Sequence, residues 1–90
     1  MSGEKKILLK SEEKRSLADV ANFLRELADK IENNQLTLKQ GDQEFTLNLP
    51  DPVTLELELE DKDKKGRTKR QIEIEIEWYL GEEGGAVSLG

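Results

Sequence analysis

Apolar residues return every three or four positions between Ser16 and Asn33, and every second position from Leu36 to Trp78. The first spacing is that of a helix with one apolar stripe. The second is that of strands with one apolar face. Leu17, Val20, Ala21, Leu24, Leu27, Ala28 and Ile31 make the stripe, while Asn22, Arg25, Glu26 and Asp29 fall opposite it. Ser16 followed by Leu17-Ala18-Asp19 has the form of a capping box and fixes the start. Asp19 in the first turn and Lys30 in the last suit the helix dipole. Asn33-Asn34 supplies residues that accept a left-handed end. The pattern predicts a helix over 17–33.

The alternating part divides at its turn residues. Leu36 and Leu38, then Phe45, Leu47 and Leu49, share a face, with Gly41-Asp42 between the two runs. Glycine at the first central position signals a type II′ hairpin turn. Pairing Gln40 with Gln43 sets Leu38 opposite Phe45 and Leu36 opposite Leu47. It also sets Lys39 opposite Glu44 and Thr37 opposite Thr46 on the other face, so one register serves both faces. Pro50-Asp51-Pro52 stops that strand. Val53, Leu55, Leu57 and Leu59 then alternate up to the turn DKDKKG, and Ile72, Ile74, Ile76 and Trp78 alternate on the way back. A turn at Lys65-Gly66 matches Leu59 with Ile72, Leu57 with Ile74, Leu55 with Ile76 and Val53 with Trp78.

Ahead of the helix, KKILLK at 5–10 reads as a first strand. The expectation is an α+β fold in the order β-α-β-β-β-β. One amphipathic helix packs on a mostly antiparallel sheet of about five strands, whose other face meets solvent. Residues 1–80 form one domain, and the glycine-rich 81–90 are expected to be a flexible tail.

Two segments together, SLADVANFLRELADKIENNQLTLKQGDQEFTLNLP and VTLELELEDKDKKGRTKRQIEIEIEW, resemble the amphi-Trp domain family of small prokaryotic proteins. The likeness runs from about Ser16 to Trp78. It centres on the amphipathic final strand Ile72-Glu73-Ile74-Glu75-Ile76-Glu77-Trp78. The resemblance implies the fold and a bacterial or archaeal source. It brings no activity and no catalytic or ligand residues.

Composition changes this picture in three ways. Charged residues make up 38% of the chain and mean hydropathy is -0.74, so disorder has to be weighed. Leu, Ile, Val and Phe number 24 of 90, about 27%, above the roughly 20% at which a highly charged chain stays unfolded. Their strict patterning also points to a fold. Cysteine and histidine are both absent, which excludes disulfides, thiolate chemistry, zinc fingers and imidazole catalysis. The apolar run near the start is three residues long, too short for a signal peptide or membrane anchor, and Ser2 stands where myristoylation needs glycine. A cytoplasmic location with no membrane contact is therefore expected. The net charge of -6 opposes general attraction to nucleic acid.

Charge is nonetheless unevenly placed. Glu56, Glu58 and Glu60 face outward on one strand of the long hairpin, and Glu73, Glu75 and Glu77 on the other. The register sets Glu58 against Glu73 and Glu56 against Glu75, and like charges opposite one another destabilise a pair. This acidic strip, with Tyr79 beside it, is the candidate interaction face: Glu56, Glu58, Glu73, Glu75, Glu77 and Tyr79. It would suit a basic partner or a divalent cation. The plainer alternative is a solvated face that keeps the chain soluble.

At the hairpin tip, residues 61–70 hold six basic and two acidic side chains, a net of +4, which leaves -10 for the other eighty. Lys62, Lys64, Lys65, Arg67, Lys69 and Arg70 are the candidate contacts for an anion or nucleic acid. No aromatic residue lies among them to stack on bases. The same turn fails as a calcium loop, because Lys65 and Ile72 stand where the loop needs ligands.

No nucleophile elbow, phosphate loop or dinucleotide fingerprint is present. The expectation is a non-enzymatic binding module without a cofactor. Its partner is another protein or a second copy of itself, and nucleic-acid binding through 61–70 is the alternative.

Overall fold

The computed structural model describes residues 3–81. It contains one helix and four strands: α1 (Leu17–Glu32), β1 (Gln35–Gln40), β2 (Gln43–Asn48), β3 (Thr54–Lys64) and β4 (Arg67–Glu77). The fold is α+β, as the pattern predicts. The chain divides into two compact units, Met1–Leu47 and Asn48–Gly90.

In the first unit, α1 begins where the capping box requires. Ser16 is extended, and its Oγ accepts a hydrogen bond from the Asp19 amide at 3.0 Å. The helix stops at Asn33, and Asn34 takes a left-handed φ of +61° that asparagine tolerates. The stripe packs on β1, with Leu27 and Ile31 half-buried on the helix and Leu36 and Leu38 half-buried on the strand. Toward the N-terminal end of the stripe, Leu17, Val20 and Leu24 remain exposed. β1 and β2 form a two-stranded sheet around Gly41, whose φ of +58° is the value a type II′ turn requires at that position. The Thr37 and Thr46 hydroxyls lie 3.2 Å apart, which places those residues opposite one another as the two-faced register predicts.

The predicted strand at 5–10 does not form, so among the described residues there are four strands rather than about five. Residues 3–16 carry no regular structure. Three lysines surround only three apolar residues there, which is too little apolar surface to hold a strand on a sheet. The Lys10 carbonyl does approach β1, accepting a hydrogen bond from the Gln40 side chain at 2.8 Å. The strands also form two separate two-stranded sheets, β1-β2 and β3-β4, in place of one continuous sheet.

The second unit is built on the β3-β4 hairpin. Lys65 and Gly66 both have positive φ, +48° and +78°, as both central residues of a type I′ turn must. The eleven rungs run from Thr54 with Glu77 to Lys64 with Arg67, and include every apolar match predicted between Leu55 and Ile76. Trp78 lies beyond the last rung, half-buried beside a shallow cleft lined by Pro52, Val53, Thr54 and Tyr79. Residues 82–90, most of the expected tail, lie outside the described residues.

Candidate functional site

Alternation over eleven rungs gives the β3-β4 hairpin two faces of opposite character. One carries Leu55, Leu57, Leu59, Ile72, Ile74 and Ile76. Five of these six are 56–69% exposed, Ile76 being half-buried, and no other helix or strand of this unit covers them. Toward the tip this same face turns polar. Arg70 donates to both Asp61 carboxylate oxygens, at 2.7 and 2.9 Å, and the Thr68 hydroxyl donates to Asp63 at 2.8 Å. The Arg70 guanidinium holds the Asp61 carboxyl below its ordinary range, and the carboxylate raises Arg70 in return.

The second face is charged from end to end. Its rungs are Thr54–Glu77, Glu56–Glu75, Glu58–Glu73, Glu60–Gln71, Lys62–Lys69 and Lys64–Arg67. Every rung with two charges pairs like with like, anionic over the half away from the turn and cationic at the tip. Repulsion from Glu75 first, and then from Glu77, pushes the Glu56 carboxyl above its ordinary value. Carboxylate oxygens of Glu56, Glu75 and Glu77 can come within 4.8 Å of one another. Among the described residues they are the set nearest to cation-holding geometry, and all three are exposed.

The structure thus collects Glu56, Glu58, Glu73, Glu75 and Glu77 on one face, as the alternation predicts. Tyr79 follows the strand, 82% exposed beside the cleft. The predicted cationic set is divided. Lys62, Lys64, Arg67 and Lys69 share the charged face, Lys65 sits in the turn, and Arg70 lies on the opposite face, engaged by Asp61. Reading 61–70 as one basic stretch missed this. The period of two already separates Asp61, Asp63, Thr68 and Arg70 from the lysines. No described helix is long and apolar enough to cross a membrane.

Compared with known families, the chain matches the model of the Amphi-Trp domain over residues 1–89. No curated protein and no solved structure matches the chain.

Proposed function

This chain belongs to the Amphi-Trp domain family, and we propose that it works as a non-enzymatic interaction module whose β3-β4 hairpin engages another protein. One observation carries this reading: five leucine and isoleucine side chains on one face of the hairpin are more than half exposed. A lone two-stranded hairpin is marginal in water, and a contiguous apolar face rimmed by charge marks a contact surface. The charged back of the hairpin fits a role in selecting and orienting the partner. The absence of cysteine suits work in the reducing cytoplasm of a prokaryote.

Two groups of substitutions on the immobilised full chain test the reading. Leu57→Asp with Ile74→Asp removes the apolar contact, and reversal of Glu56, Glu58, Glu73 and Glu75 to lysine removes the acidic one. A defined protein retained from native extract by the wild type is expected to be lost with the first pair and weakened by the second set. Retention unchanged by both overturns the proposal.

A second reading, nucleic-acid binding through the tip, is favoured by Lys62, Lys64, Arg67 and Lys69 gathering on one face. It predicts duplex binding that falls steeply with salt and disappears on reversal of Lys64, Arg67 and Lys69. Binding that ignores both removes it.

A further inference from the structure

The charged face of β4 reads Arg67, Lys69, Gln71, Glu73, Glu75, Glu77, cationic at one end and anionic at the other. Such a strand is complementary to itself reversed. An antiparallel copy paired about Ile72 sets Arg67 opposite Glu77 of the second copy, Lys69 opposite Glu75, and Gln71 opposite Glu73. The two-fold axis repeats each pair. All eleven residues of β4 find a partner in this register, and no like charges meet across it. On the apolar side Ile72 meets its own mate, and the Arg70 stem lies beside Ile74.

The backbone is disposed for the same pairing. The type I′ turn joins Lys64 and Arg67 by a hydrogen bond, and hydrogen-bonded rungs then alternate along the ladder. Arg67, Lys69, Gln71, Glu73, Glu75 and Glu77 therefore direct their N–H and C=O groups to β3. Thr68, Arg70, Ile72, Ile74 and Ile76 direct theirs outward, and no third strand joins the β3-β4 sheet among the described residues.

We infer that two copies of this chain join β4 to β4 in antiparallel register about Ile72, forming a four-stranded sheet across a two-fold axis. This inference rests on the hairpin being an interaction element, and it names the partner as a second copy. The alternatives fit less well. β3 paired with itself about Leu59 sets Glu58 against Glu60 and Leu57 against Asp61. A parallel β4 pair sets every charge against its like. β1 and β2 are six residues long and carry no such polarity, so neither matches an eleven-residue edge.

The like-charged rungs inside the hairpin acquire a reason in this assembly. Each copy gives up favourable pairs across β3-β4 and offers one sign at each end, so that a reversed second copy supplies the opposite sign. The polarity also blunts the edge against other registers and other strands.

Sedimentation of the full chain across a concentration series tests the inference through charge exchange. Lys69→Glu turns the Lys62–Lys69 rung into an attractive one, so it favours the hairpin within each copy. Across the two-fold axis it faces Glu75 twice and weakens the dimer about tenfold. Glu75→Lys acts in the same way. The double variant Lys69→Glu with Glu75→Lys restores the opposed pairs and is expected to return self-association to near the wild-type value. Ile72→Pro removes an outward N–H that β3 does not use, and is expected to leave the chain monomeric. A wild-type chain that stays monomeric at millimolar concentration overturns the inference. So does a dimer indifferent to Lys69→Glu and to Ile72→Pro. If such a chain still retains a protein partner through its apolar face, the interaction-module reading survives and the choice of a second copy falls.

Discussion

In the β1-β2 hairpin the Thr37–Thr46 contact belongs to a register that brings Lys39 opposite Glu44, whereas the charged face of the β3-β4 hairpin sets Glu against Glu and Lys against Lys. Both close with two-residue turns, and both put apolar residues on one face and polar ones on the other. They differ in where their partners lie. The first hairpin lies with β1 against α1, and its register offers opposite charges across its own strands. The second has an uncovered apolar face in its own unit and, on its other face, charges that find no opposite partner across its own rungs. A register that satisfies itself belongs to an element finished within its own unit. A register that repeats the same conflict on every doubly charged rung of one face, with sign sorted by position, points outward.

The sharpest way to break this contrast is Ile72→Asp. Ile72 is 68% exposed in the single chain, so a monomer would tolerate the change with little effect. At the two-fold axis it sets two carboxylates against each other and removes the contact between the two isoleucines. Self-association is expected to weaken roughly hundredfold, read by sedimentation. Next in size is Ser16→Ala in the first unit, which removes the Oγ cap on the Asp19 amide. It is expected to cost about 1 kcal/mol in urea unfolding and to leave the sedimentation coefficient unchanged.

A matched pair of charge reversals then sharpens the comparison. Lys62→Glu makes an attractive rung with Lys69 in the second hairpin, while Glu44→Lys makes a repulsive rung with Lys39 in the first. The two changes are expected to shift stability in opposite directions by roughly 0.2–1 kcal/mol, measured by denaturant melts at high dilution.

Acidification gives the smallest effect. The folded-state value of Glu56 is raised, so the folded hairpin takes up a proton more readily than the unfolded chain. Its contribution is most favourable below the ordinary carboxylate range and is lost as pH rises through the raised value. The lowered Asp61 acts in the opposite sense, stabilising at neutral pH and fading as pH falls through its own value. Melting at high dilution in the mildly acidic range just above the ordinary carboxylate value is therefore expected to show a gain over neutral pH. Glu56→Gln removes that gain.

Local chemistry made most of the fold legible. The Ser16 cap, the Gly41 and Lys65-Gly66 turns and the match of both apolar faces each follow from residues adjacent in sequence or across one turn. The failures are non-local. KKILLK has strand-like residues, but only a neighbouring strand could make it one, and the alternation of β2 and β3 could not show that they belong to different sheets. At the candidate site the acidic strip was legible because glutamates occupy every second position. The tip was read as one patch because its six cations cluster within ten residues, while pleating sends Arg70 to Asp61 and Lys62, Lys64, Arg67 and Lys69 to the other side.

Amide hydrogen exchange along β4 tests the central claim most directly. The account predicts that the amides of Thr68, Arg70, Ile72, Ile74 and Ile76, which β3 does not engage, are protected at high protein concentration and lose that protection on dilution. The alternate amides from Lys69 to Glu77 should respond far less. Fast exchange of the outward amides at every concentration, or protection that dilution does not remove, contradicts the account.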